Sequence, residues 1–556
     1  MCKKHLFQTQ NNIILYRSDF LRGSKVAEVK SNRKNILRGS FGSGIATLLS
    51  RFLGLFRVSL EARVLGGNAL AATWNLAFAL PNLLRRVLGE GALAQALIPI
   101  LMHTEAEHGI AEVKKQLSLV LCVLTAILAG ISFIVSALAL IAVPFISSAY
   151  IRDAALLLPL LMPYTIFICI VGVMTAVVNT RRVFFQASLN ALILNIVLIS
   201  ILFAGQKYVL KSPDGFLKIM AVSVLIAGLL QILHMAFLLY RHDIFPQFKR
   251  TLKPARKIIK EVFTLAMPGM IGGAAFQISF LVDRALACYV GDYAIPALSN
   301  TERLVYLPVG IVAVALGSVL MADMSRAAAN KQFDELRDDM TAGLRYVWFI
   351  CAPLTIFLIC YREPLIKIIF YGGNFTYENV LATADATLFY AIGIPAFCAT
   401  KVLLPGFYSR KDTLTPLKIS IFCIILNIPL SIVLMLFLKQ GGIALATAIS
   451  AMCNNMLLIG NLKRAGFAPH LKSVVRSMIK SILIASAAAV PAYFYCSISQ
   501  WCEPVTLKSM PDAIPMLVCS LIFGVIYLLF SIVFKATELK EICSSLFPRF
   551  FRKKEV

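Results

Sequence analysis

Residues 117–151 read LSLVLCVLTAILAGISFIVSALALIAVPFISSAYI, 35 positions without one charge. A helix needs roughly 20 apolar residues to cross a bilayer. Backbone polar groups cannot stay unpaired in lipid, so a helix is the form such a stretch takes. The same reading extends outward along the chain. Residues 154–180, 183–206, 219–240, 262–282, 304–322, 419–438, 440–462, 481–502 and 513–534 are also free of charge. Four weaker segments, near 40–60, 69–88, 340–361 and 381–404, complete a set of 14. The period-two alternation of a membrane β-barrel is absent. The expected fold is an all-α polytopic membrane protein.

Charge supports this count and excludes nucleic acid as the partner. Of 54 Lys and Arg, 40 lie in the termini and in alternate loops, those near 84–116, 181–182, 241–260, 326–345, 410–418 and 463–480. The other loops carry only Arg63, Arg152, Lys207, Lys211, Lys218, Arg362, Lys367, Lys439 and Lys508. The positive-inside rule then places both termini in the cytoplasm. A net charge of +26 is therefore a topology signal rather than a nucleic-acid footprint. Most of the 13 cysteines sit inside apolar runs and no CxxC pair occurs, so neither a disulfide framework nor a metal cluster is expected. The polar, basic leader 1–35 has no apolar core of a signal peptide.

The basic stretch 241–260 divides the chain into 36–240, six segments, and 261–465, six more. Two further segments follow in 466–535, before a basic tail at 536–556. The halves share a weak pattern. Leu80-Pro81 precedes Gly89 in the first, and Leu307-Pro308 precedes Gly317 in the second. Two like lobes with a site between them is a common transporter plan. Glycines gather in the first segment of each half, at Gly42, Gly44 and Gly54 and at Gly269, Gly272 and Gly273, where they permit bending or close packing.

The residues with chemistry are cations inside apolar segments: Arg51, Arg57, Arg303 and Lys401. A charge at mid-bilayer costs several kcal/mol and so faces protein or a wet cavity. Arg51 and Arg57, six apart in SRFLGLFR, face adjacent sides of a helix about 9 Å apart along its axis. Either can also snorkel to an interface. Arg85 and Arg86 serve equally as topology signals, with Glu90 in reach of Arg86. Glu302 is expected to balance Arg303, and Asp283 to pair with Arg284. Lys401 precedes the break at Pro405-Gly406. No Walker A sequence, nucleophile elbow or metal spacing is present. The available chemistry is anion binding by cations in a low-dielectric cavity, so no enzymatic activity is expected.

Three motifs carry a family resemblance. Ser50-Arg51-Phe52-Leu53-Gly54, Leu80-Pro81-Asn82-Leu83-Leu84-Arg85-Arg86 with Glu90-Gly91-Ala92, and Pro405-Gly406-Phe407-Tyr408-Ser409-Arg410 with Asp412 and Thr415-Pro416 resemble the bacterial lipid II flippases. These are the mouse-virulence-factor family of the multidrug/oligosaccharidyl-lipid/polysaccharide exporter superfamily. The resemblance spans about 36–535. It implies two six-helix lobes around a central cavity, with the last two helices forming a groove for the lipid tail. It implies undecaprenyl-diphosphate-linked disaccharide-pentapeptide (lipid II) as substrate, in the bacterial inner membrane, for cell-wall synthesis. Arg51, Arg57, Arg85, Arg86, Glu90, Arg303 and Lys401 match the family's transport positions. Another diphosphate-linked glycan is an alternative substrate, and a cation-coupled drug exporter is the alternative class. Enzymes of cell-wall synthesis are the expected protein partners, and the membrane potential the expected driving force.

The chain also departs from the family pattern. Ala72 and Ala79 stand where an acid and a lysine are frequent, and Tyr306 where a glutamate is frequent. The resemblance implies a sodium site as well, for which Asp283, Asn427 and Thr447 are the residues present, with Ser431 at a position that is acidic in that pattern.

Overall fold

The computed structural model describes residues 48–89, 92–181, 183–247, 277–330, 332–410, 412–491 and 512–546, with Val262, Thr264 and Met267 between them. The basic leader, most of the 241–260 linker, Glu90 and the glycines at 42, 44, 269, 272 and 273 lie outside these residues.

The described chain is helical, and its one β-type pairing is an isolated bridge between Gly372 and Phe375. Helix α1 covers 48–65. It is followed by α2 (Ala69–Leu84), a π turn (Arg85–Gly89), α3 (Ala92–His108), α4 (Ile110–Ala142), α5 (Ala149–Thr180), α6 (Phe184–Val209) and α7 (Pro213–Arg241). Helix α8 covers 277–290. Then come α9 (Ala294–Ala329), α10 (Phe333–Phe370), α11 (Tyr377–Ile392), α12 (Ile394–Tyr408), α13 (Leu414–Arg464), α14 (Leu471–Ala488), α15 (Ala513–Val533) and α16 (Thr537–Leu546). The opening stretch 117–151 falls in α4, and the basic loop after the second segment contains a helix of its own, α3.

Among the described residues, eight helical stretches are long and apolar enough to span a bilayer. One of them is two spans in one. In α13, Lys439 takes φ 49° and ψ −130°, which no helix allows. Ser450 Oγ then donates to Asn427 Oδ1 at 3.2 Å, although 23 residues separate them. A straight helix of that length would hold them about 34 Å apart, so arms 414–438 and 440–464 form a hairpin. Proline and glycine account for the other breaks. Pro364 removes an i→i−4 bond from α10, and Tyr361 leaves helical geometry just before it. Gly393 and Pro395 separate α11 from α12.

Buried side chains fall into three clusters. The first joins α1–α7, around Trp74, Leu117, Leu161, Tyr164 and Met220. The second joins α8–α13, around Ile295, Val347, Tyr390, Leu403 and Leu458. We call these two clusters the lobes. Helix α1 is their seam, since Leu60 and Val64 pack in the first and Val58 and Ala62 in the second. The third cluster packs α14 and α15 on Phe349 and Tyr361 of α10. Tyr527 Oη anchors it by donating to Phe349 O at 2.7 Å. Outside the clusters, side chains such as Phe133, Leu436 and Val533 lie bare, as suits surfaces facing acyl chains. Lipid is as apolar as leucine, so these lobes are held by close packing and interhelical hydrogen bonds rather than by escape from water.

Candidate functional site

Helix α1 carries three cations along one rod, and each does something different. Arg51 is half-buried and crosses to the other lobe, where its Nη1 donates to Leu307 O of α9 at 3.3 Å. It lies against Gly310, where a Cβ would press on the guanidinium and make that flexible side chain shift. Arg57 is 6% exposed and pairs with Glu61 one turn on, Nε to Oε1 at 3.5 Å. Glu61 was not expected as a partner, because the apolar signal stops at 60, whereas the helix runs on to 65 and ends at Gly66 with φ +82°.

Arg63 closes the end of the rod. Its Nη2 donates to Ile368 O at 3.0 Å and to Ile369 O at 3.3 Å. Ser59 Oγ also donates to Ile369 O. In return Asn374 N donates to Arg63 O at 2.8 Å, and Asn374 Nδ2 to Val64 O at 2.7 Å. Gly373, at φ +57°, lies so close to Arg63 O that a Cβ would overlap it. The connection 371–376 of the second lobe is thus latched to the end of α1.

On α9, Arg303 is exposed although its helix neighbours Leu304 and Val305 are buried. The charges that act on it are Arg57 of the seam helix α1 and Arg86 of the π turn, which repel it, and Glu61 of α1 and its own neighbour Glu302, which attract it. An exposed guanidinium with Arg57, Glu61 and Arg86 among its charged neighbours faces the space along the seam. Among the described residues it has no hydrogen-bond or ion-pair partner. Glu302 does not balance it. Consecutive helical residues point roughly 100° apart, and Glu302 turns to Arg284 of α8, Nη2 to Oε2 at 3.1 Å.

Asp283 accordingly does not pair with Arg284. It turns to the α13 hairpin, where Oδ1 accepts from Asn427 Nδ2 and Oδ2 from Thr447 Oγ1, both at 3.1 Å. Asp283, Asn427 and Ser431 are buried, and Ser431 Oγ has no partner among the described residues. The three residues expected at an ion site are therefore in one place, as a set of oxygen donors with a single carboxylate. Among the described residues no three His, Cys, Asp or Glu side chains gather as metal ligands.

Arg85 and Arg86 sit on the π turn, four and five residues after Pro81. Such turns are rare and recur at functional sites. Arg86 is exposed, and its Nη1 donates to Gln277 Oε1 of α8 at 3.3 Å, again across the seam. Lys401 on α12 is exposed, but among the described residues no contact brings it to the arginines. Tyr306 packs with Phe280, Tyr390 and Phe397, ring centroids 5.5 to 6.3 Å apart, so an aromatic wall stands one turn beyond Arg303.

These features define a two-lobed, polytopic α-helical membrane protein with cations along the seam. Residues 61–510 match the model of the MurJ lipid II flippase family, and the chain belongs to that family. A probable lipid II flippase MurJ from Rhizobium tropici is 30% identical over 475 residues, 83% of this chain and 87% of that protein. The lipid II flippase MurJ of Burkholderia cenocepacia is 27% identical over 511 residues, covering 89% and 98%. The fold is similar to a solved lipid II flippase MurJ in an inward closed conformation, with TM-score 0.68, 23% identity and coverage of 88% and 98%. It is also similar to an inward-facing multidrug resistance MATE transporter of the MOP superfamily, with TM-score 0.63 and 12% identity over 76% of this chain and 98% of that one.

Proposed function

We propose that this chain carries lipid II across the bacterial inner membrane by alternating access of its two lobes. The observation that carries the reading is Arg303, an exposed guanidinium without a partner among the described residues, in the field of Arg57 and Arg86 across the seam. A diphosphate is the anion such a group needs, since guanidinium binds it bidentately and the low dielectric strengthens each contact. Cationic drugs would need free carboxylates, and the two acids nearby, Glu61 and Glu302, are each tied to an arginine.

The charge-rich face, with both termini, is the cytoplasmic one in this reading. The latch of 371–376 on α1 then shuts the outer face, and the headgroup enters from inside. An inside-negative potential favours return of the empty cationic site, by about 2.3 kcal/mol per charge per 100 mV.

We also infer that Asp283, Asn427 and Thr447 hold a sodium ion. Oxygen donors of this kind suit a hard cation, and one carboxylate suits a single charge. Bound there, sodium would neutralise Asp283 and tie α8 to both arms of α13. The test is thermal stability of purified protein in sodium against choline. The wild type gains stability in sodium, and Thr447→Val does not. Equal gains in both would overturn the site.

Transport is tested by complementation in a strain depleted of its own flippase. Arg303→Ala and Arg51→Ala, expressed at the normal level, fail to restore growth. Full growth of Arg303→Ala would overturn the reading.

A further inference from the structure

A second cavity, about 430 Å³, opens beside the latch. Its floor is polar, made by Ser59 and Arg63 of α1 and Asn374 of the latch connection, and its mouth holds Phe56, Phe203, Gln206 and Leu210. The mouth is exposed: Phe56 by 49%, Phe203 by 54% and Leu210 by 75%. Among the described residues Arg63 donates through Nη2, to Ile368 O and Ile369 O. The cavity is therefore amphiphilic, with a cation inside and aromatic and aliphatic side chains towards lipid. Its size lies within the ordinary range for small-ligand sites, enough for a headgroup and the start of its chains.

Charge says which headgroup. The face where α1 ends carries nine Lys and Arg by the sequence count; Arg63 of the cavity floor is one, and Lys211 directly follows Leu210 of the mouth. Lys211 and Lys218 are exposed. Cations on the face the positive-inside rule depletes call for an anionic partner in the same leaflet.

The geometry points to an anionic-phospholipid site built into the latch: the headgroup phosphate meets Arg63, and the acyl chains leave past Phe56 and Phe203. The cavity exists only while both lobes meet, because α1 and α6 supply one wall and residues 373–374 the other. A ligand with affinity for only one of two states shifts the equilibrium towards that state. Such a lipid therefore holds this face shut. The inference concerns binding and closure rather than flipping, so its failure leaves the flippase reading standing.

The test is hydrogen exchange of the 371–376 amides in nanodiscs. In the wild type, exchange is at least about 5-fold slower with phosphatidylglycerol in the disc than with phosphatidylcholine alone, the lower end of ordinary coupling. Gln206→Trp fills the mouth, and Leu210→Glu repels the headgroup; both erase the difference while exchange in α15 stays as in the wild type. Equal exchange of the wild type in both discs overturns the proposal, as does a full effect in either variant. Slowing by millimolar inorganic phosphate in phosphatidylcholine discs would reveal a free-anion site and overturn it too.

Discussion

Helix α1 meets the second lobe twice, by opposite means. At its end, Arg63 and Ser59 engage backbone groups of 368–374, Val64 O accepts from the Asn374 side chain, and glycine at 373 permits backbone-to-backbone approach. Along its middle, Arg57 and Glu61 meet Arg303 through charge alone, across a space that stays accessible. A latch of carbonyls and amides is specific, indifferent to salt and cheap to remake. A charge set with more arginines than acids keeps a net positive field and waits for a counter-charge. The contrast assigns closure to one place and capture to another, on a single rod that can transmit between them.

The sharpest way to break the contrast is at the charged end. Arg303→Ala should lower lipid II translocation in proteoliposomes by on the order of 10- to 100-fold, the range of one lost hydrogen-bonded charge, while latch protection in hydrogen exchange stays as in the wild type. Arg303→Lys should recover part of the rate, since it keeps the charge and loses the fork. The latch comes next. Gly373→Val introduces a clash and a strained φ, which together should weaken closure by about 1–3 kcal/mol. Amides 371–376 should then exchange roughly 5- to 100-fold faster, a ratio that follows from those energies, with headgroup affinity little changed.

A smaller effect sharpens the comparison. Glu61→Gln frees Arg57 from its acid partner among the described residues, so pyrophosphate should bind more tightly, by a few-fold or more. Weaker binding would mean that Glu61 organises the arginines rather than restrains them.

The smallest effect lies outside both regions and serves as a control. On α16, burial pushes the Glu538 carboxyl up, but its own backbone N–H, the Arg345 guanidinium at 2.9 Å and Ser477 outweigh that, and the net shift is downward. A depressed carboxyl stabilises the docked helix above the ordinary glutamate value, and that stabilisation disappears as pH falls through its lowered value. Proteolysis of α16 should therefore rise only in acid. Arg345→Gln should move that rise to higher pH and leave the latch untouched.

Much of this was legible in the sequence, because lipid leaves only helices as an option and long uncharged runs announce them. Arg51, Arg57 and Arg303 were legible as cations in the wrong solvent. The pairings were not. Asp283-Arg284 and Glu302-Arg303 look self-neutralising on paper, yet neighbours on a helix diverge, so Arg284 took Glu302 and Asp283 took the α13 hairpin. Arg57 and Glu61 were at readable i, i+4 spacing, and were missed because hydropathy ended the helix five residues early. The latch had no signal at all. It joins residues about 310 positions apart, and much of it is main chain, which every residue possesses.

Gly310 has no functional group, yet Arg51 rests in the slot it leaves on α9. One methyl group would make the guanidinium shift within the slot without touching a charge, and a long, flexible side chain does that at little cost. A small residue can therefore set the position of a charge on another helix, and alanine here would nudge that charge where removing the arginine would delete it.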